Sequence, residues 1–213
     1  MTRPQIALVL HALLLIAALV WLVPVLTGAL GGPRGYLLSL GLYWLGFCLP
    51  VSFFHVRGRR GPLLFSERLA WRDWWIPGLL LLQVGAVGLG AVVPHTSLLT
   101  THGAMLAALV ALINGTLEEM AWRGGFLTRF ADRPRLGFIL GWVLFTAWHA
   151  PLALSQGIVF DGGWVALVGG AAGLGLLWSA IAWRTGSIFW VSIAHVLTNF
   201  LAFWVLFDAN GFA

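Results

Sequence analysis

The sequence predicts an all-α protein: a polytopic membrane bundle of about seven transmembrane helices with a polar cavity near the midplane. Three observations predict it. The 213 residues are 60% hydrophobic with a mean hydropathy of +0.93, whereas a soluble globular domain is about 45–50% apolar. Apolar runs of about 20 residues recur along the chain, the length a helix needs to cross about 30 Å of hydrocarbon. Only 9% of the residues are charged, and two of the seven acidic ones, Glu118 and Glu119, stand side by side inside such a run. Charge at that depth is costly and marks a functional site by default.

The first run, 6–30, follows Met1-Thr-Arg-Pro. It is longer than the 7–15 residue core of a secretory signal and no small-x-small cleavage site follows, so it reads as a retained helix. The second, 36–56, holds Cys48, the single cysteine, which offers no intrachain disulfide framework or zinc-finger spacing and reads as a small core residue. A polar seam follows, in which Arg57-Gly-Arg-Arg-Gly-Pro62 breaks the pattern and Ser66-Glu-Arg-Leu-Ala-Trp71 reads as a short interfacial helix. Trp71, Trp74 and Trp75 then open the third run, 74–94, where amphipathic rings favour the headgroup layer. The fourth run, 103–127, carries Glu118, Glu119 and Arg123 in its last third, and the fifth, 136–154, carries Phe145 and His149. The sixth, 164–182, has Gly169 and Gly173 in the G-x-x-x-G spacing that admits a close neighbouring helix. Packing within the molecule is expected of that pair, ahead of a homodimer face, and the oligomeric state stays open. The seventh, 187–207, carries His195 and Asn199. Residues 1–99 therefore read as an N-terminal part, three helices with almost no intramembrane polar groups that serve as scaffold or substrate wall. Residues 100–207 form the functional core, helices four to seven, with every polar cluster. No internal repeat is visible.

All 12 basic residues are arginine. Basic residues mark cytoplasmic loops, so the turns with Arg57, Arg59, Arg60, Arg68 and Arg72 and with Arg129, Arg133 and Arg135 are expected in the cytosol. Alternate threading adds Arg3 and Arg184 to that side, leaves Arg34 alone opposite and Arg123 inside a helix. The expectation is an integral protein of a bacterial-type plasma membrane, N-terminus cytosolic and C-terminus outside. The pI of about 11.0 then reports topology and contact with anionic membrane lipids, and nucleic acid is not an expected partner.

Helical rise places the polar groups in one layer. At 1.5 Å per residue from the cytosolic ends, Glu118 lies roughly 16 Å deep, His149 and Asn199 roughly 20 Å and His195 roughly 14 Å. Residues four apart share a helix face, so His195 pairs with Asn199, Phe145 with His149, and Glu119 with Arg123 in the favoured order for an ion pair. That pair leaves Glu118, about 100° around the helix, to face the two histidines. A desolvated carboxylate with a histidine partner can take a proton from water and pass it to a leaving amine. Donors such as His195 and Asn199 suit the oxyanion that peptide hydrolysis creates. No Ser-His-Asp or G-x-S-x-G arrangement exists to supply a covalent nucleophile. No cofactor is required by this chemistry; zinc is the runner-up, with Glu118, His149 and His195 as its ligands, although H-E-x-x-H is absent. Phe145 reads as packing, Asn114 as packing or cavity lining one turn before Glu118, and His11, His55, His95 and His102 as interfacial or incidental.

Glu118-Glu119-Met-Ala-Trp-Arg123, Phe145-Thr-Ala-Trp-His149 and His195-Val-Leu-Thr-Asn199 resemble the E-E-x-x-x-R, F-x-x-x-H and H-x-x-x-N/D motifs of the CPBP (Abi, type II CAAX prenyl endopeptidase) family of intramembrane proteases. The match spans about residues 100 to 205, with all three motifs complete and in order. The resemblance implies a helical membrane fold with a cavity open to membrane or cytosol, and glutamate-dependent peptide hydrolysis. It implies that Glu118 and His149 activate water and that His195 and Asn199 serve the oxyanion. The family is often labelled metalloprotease, while its prenyl-processing branch favours a metal-free glutamate mechanism. The implied substrate is a hydrophobic or prenylated (CAAX-like) peptide or protein. A non-catalytic immunity or scaffold protein of the same fold is the alternative. A proton-coupled transporter is disfavoured by the lack of an inverted repeat.

Overall fold

A computed structural model describes residues 1–56, 64–67 and 69–212. Seven helices are long and apolar enough to cross a membrane: α1 (Arg3–Leu30), α2 (Gly32–His55), α3 (Trp71–His95), α4 (Thr101–Arg129), α5 (Pro134–Leu154), α6 (Gly163–Thr185) and α7 (Phe189–Ala209). Each covers its predicted run with ends shifted by a few residues, and no strand occurs among the described residues.

Local chemistry sets the boundaries. At the start of α1, the Thr2 backbone N–H donates to Gln5 Oε1 at 2.9 Å in a capping box, which satisfies donors that a helix N-terminus leaves free. The helix ends at Gly31, whose φ of +81° only glycine adopts at little cost. Gly35 then lets α2 lie on α1, since a Cβ there would sit 2.4 Å from the Leu26 carbonyl and Thr27 Cα. Three helices carry π turns, at Trp44–Cys48, Gly88–Val92 and Glu119–Gly125. The first has a visible cause: Pro50 has no N–H to give the Gly46 carbonyl. The His11 imidazole of α1 lies 2.7 Å from that carbonyl instead. The third lies on the acidic motif, as π turns often do at functional sites.

The two ends of the bundle are built differently. At the arginine-rich end, Gln5 donates to the Arg129 carbonyl and to Asp132 at 3.0 and 2.7 Å. Arg129 donates to the Phe54 carbonyl and to His55, and Arg184 grips Asp73 at 2.6 Å. At the other end the Thr100 backbone and hydroxyl both donate to Asp208 at 2.8 Å, and the Gln156 N–H donates to Thr27 at 2.9 Å. Arg57, Arg59, Arg60 and Arg68 lie outside the described residues. Trp71 and Trp74 are exposed, by 89% and 68%, at the start of α3.

Two expectations need correction. Ser66, Glu67, Leu69 and Ala70 are not helical, and α3 starts only with the 3₁₀ turn Trp71–Asp73. Leu64 and Ser66 are instead tied to the residues leading into α7: the Leu64 carbonyl accepts from the Ile188 N–H at 2.7 Å, and the Leu64 and Ser66 carbonyls accept from the Ser187 hydroxyl at 2.9 and 2.6 Å. The Gly169 and Gly173 pair does not seat a neighbour either, for nothing lies within 4 Å of a Cβ built at either position. Close approach occurs instead at Gly175, where a Cβ would meet the Phe145 ring at 2.7 Å.

Candidate active site

Gly115 brings the motifs together. α4 and α7 pack along most of their length, and at Gly115 the Val196 backbone comes within 2.9 Å of where a Cβ would stand. That contact lies one turn before Glu118 and next to His195. Consecutive residues of an α-helix point about 100° apart, but both glutamates of α4 end up fully buried at the π turn that begins with Glu119.

His195 sits between them. Its Nε2 lies 3.2 Å from Glu118 Oε2 and its Nδ1 2.7 Å from Glu119 Oε1. Nitrogen and carboxylate oxygen bond only through a proton, so two bonds need two protons among three groups. The three therefore form either an imidazolium between two carboxylates or a neutral imidazole with one carboxylic acid. Arg123 Nη1 binds Glu119 Oε1 at 2.9 Å, so the first state leaves Glu118, Glu119, His195 and Arg123 with zero net charge, which makes their burial tolerable. Arg123 is further held by Ser179 Oγ and the Gly175 carbonyl, each at 3.3 Å, and by the face of Phe145 at 3.9 Å.

Glu118 takes two more donors: the Tyr43 hydroxyl at 2.8 Å and the Asn114 amide at 3.0 Å. A tryptophan fixes each of them, Trp122 donating to the Tyr43 hydroxyl at 2.6 Å and Trp44 to Asn114 Oδ1 at 2.7 Å. On the other side Trp178 stacks on His195 with centroids 4.2 Å apart. Its indole N–H donates to Gln83 of α3, and Gln83 donates to Thr198 at 3.0 Å.

A cavity of about 490 Å³ begins at this layer, walled there by Asn114, His149, His195, Thr198 and Asn199, and its size suits a small-molecule or peptide ligand. His149 Nδ1 lies 2.8 Å from the Phe145 carbonyl. A carbonyl oxygen only accepts, so Nδ1 carries a proton, and in the neutral ring Nε2 keeps its lone pair. The Phe145 ring lies edge-on to both His149 and His195, 4.8 and 6.0 Å away, and so packs against both imidazoles. Asn199 Nδ2 and Trp148 Nε1 are buried without a partner among the described residues. Glu118, Glu119 and Arg123 stand behind this wall. The structure thus joins Glu118, Glu119, Arg123 and His195 by direct bonds. His149 and Asn199 share the cavity with His195 without a hydrogen bond to it.

At rest the His195 imidazole offers zinc no free nitrogen. A zinc-binding nitrogen must offer a lone pair, whereas both nitrogens of His195 are committed to carboxylates. Among the described residues no three His, Cys, Asp or Glu side chains are placed to hold a metal ion.

Sequence reasoning missed Tyr43, Trp44, Gln83 and Trp178. Tyr43 and Gln83 carried a signal, each a polar group in the middle of an apolar run and away from the headgroup belt, where such groups serve as helix-to-helix glue. His95 and Asp161, 3.9 Å apart, also prove to line the cavity.

Comparison with known proteins agrees with the motifs. The family described as type II CAAX prenyl endopeptidase Rce1-like matches residues 100–201, from the start of α4 to beyond Asn199. No curated protein and no solved structure matches the chain. With three complete motifs converging on one buried cluster inside the matched segment, the match supports membership of the type II CAAX prenyl endopeptidase Rce1-like (CPBP) family.

Proposed function

We propose that the protein is a glutamate-dependent endopeptidase that hydrolyses a peptide bond of a membrane-associated or lipidated substrate in this cavity. One observation carries the reading. A neutral, fully buried network ends at a cavity wall that presents an unprotonated His149 Nε2, a free Asn199 amide and His195.

Water beside His149 loses a proton to the His149–Glu118 layer as its oxygen attacks the scissile carbonyl. The carbonyl oxygen becomes an anion and accepts from Asn199 Nδ2–H. At rest His195 has no donor to spare, because both its nitrogens face carboxylates. A proton reaching Glu118 Oε2 competes with the His195 bond there and turns Nε2–H toward the oxyanion, so base action and oxyanion stabilisation are coupled. The same proton then passes to the amide nitrogen, the C–N bond breaks, and an acid and an amine leave. Donors aimed at developing charge in a water-poor site contribute about 10²–10³ in rate each. Positioned proton transfer adds about 10²–10⁴.

The test is cleavage by the purified protein of a farnesylated CAAX peptide and a panel of hydrophobic peptides, with and without a zinc chelator. Wild type should cut at least one and be indifferent to chelator. No cleavage across the panel removes the enzymatic reading, and inhibition by chelator alone restores zinc.

A further inference from the structure

The cavity runs away from the arginine-rich end. From the His195 layer its wall is made by Tyr36 and Leu40 at the start of α2, Ala91 and His95 at the end of α3, and Ala166 and Leu206 at the far ends of α6 and α7. Its rim residues are open: Leu98 is 51% exposed, Val159 74%, and the Asp161 side chain 61%. In the opposite direction the way is shut by Glu118, Glu119, Arg123 and His195, none more than 3% exposed, and by Trp122 and Phe126 stacked behind them.

The rim and the arginines therefore occupy opposite ends. Arg129 ends α4, Arg133 follows it, Arg135 opens α5 and Arg184 lies in the last turn of α6, at the end where Gln5 meets Arg129 and Arg184 meets Asp73. Among the described residues the only arginine on the rim side is Arg34. Among the described residues Arg3, Arg72, Arg129, Arg133, Arg135 and Arg184 lie at the opposite end, and such an imbalance fixes orientation because basic loops stay cytosolic.

From this we infer that the scissile bond is reached from the non-cytosolic side. The substrate is then a membrane-anchored polypeptide with an apolar stretch at the outer leaflet, and a C-terminus displayed in the cytosol is not the form taken up. The inference deepens the protease reading and rests on it for the word substrate, but the direction of access rests on geometry and charge alone. The wall favours an apolar stretch because beyond the His195 layer it is nearly all aliphatic and aromatic. Its polar side chains there, His95 and Asp161, sit at the rim, where the flanking backbone of such a stretch would emerge.

Membrane-impermeant thiol reagents decide the direction. Cys48 is fully buried and is the single native cysteine, so a Cys48→Ala protein is a clean background for Ala166→Cys near the rim and Ala202→Cys one turn past Asn199. Arg133→Cys and Asp161→Cys mark the two faces. In right-side-out vesicles a charged methanethiosulfonate should label Ala166→Cys, Ala202→Cys and Asp161→Cys. It should not label Arg133→Cys, and inside-out vesicles should give the reverse pattern. Labelling of Ala202→Cys should also lower cleavage at least tenfold. Labelling of Ala166→Cys and Ala202→Cys from the arginine face, or from neither face, overturns the inference. Peptide cleavage that persists in Glu118→Gln overturns the protease mechanism and leaves the labelling pattern untouched, so the two failures are distinguishable.

Discussion

The two ends of this bundle solve opposite problems. The arginine-rich end is closed by polar groups: four ionisable side chains are buried together, each with several partners. The other end is hollow and mostly apolar, and its polar contacts, such as Thr100 with Asp208, lie around the rim. The difference teaches that the costly charges form the floor of the chamber and do not line its length. A floor of matched charges is rigid because any one loss leaves another group buried and unpaired, while an apolar chamber tolerates change wherever nothing touches it.

That contrast yields graded expectations. Arg123→Met should have the largest effect on stability, about 3–5 kcal/mol, because it strands the Glu119 carboxylate. Thermal unfolding in detergent reads it, and adding Glu119→Gln should return part of the loss. If Arg123→Met is as stable as wild type, the floor is not held by charge matching. Tyr43→Phe comes next, at about 1–3 kcal/mol, since the Trp122 N–H loses its acceptor and Glu118 a donor. Unfolding and cleavage rate should both fall. Gly175→Ala forces a Cβ into the Phe145 ring and should cost about 1–3 kcal/mol as overpacking does. Gly173→Ala, with open space at its Cβ, should stay within about 0.5 kcal/mol of wild type. Equal costs at the two glycines would mean that α6 packs otherwise.

How much of this the sequence discloses follows the same division. The seven runs and the common depth of Glu118, His149 and His195 were legible because hydropathy and a fixed rise per residue are local properties. So was the Glu119–Arg123 pair, which spacing of four sets within one helix. The seating of both glutamates around one imidazole was not, since it depends on a π turn and on Gly115 drawing α7 close. Tyr43 and Gln83 act across helices distant in sequence, so their roles needed tertiary placement. The direction of the cavity was hidden for a further reason: its wall is assembled from residues of α2, α3, α5, α6 and α7 that are distant in sequence, and the open glycines of α6 read in sequence as a packing motif.

The most direct test is the single-turnover rate of Glu118→Gln on a peptide that wild type cuts. The variant keeps the side-chain shape: its one carboxamide oxygen still accepts from Tyr43, while the amide nitrogen takes the Oε2 place, faces His195 Nε2 and gives up the Asn114 bond, so folding is checked by unfolding temperature and gel filtration. Its rate should fall by about 10² or more, as expected when a positioned base is lost. A folded Glu118→Gln protein that cleaves at the wild-type rate would contradict the account.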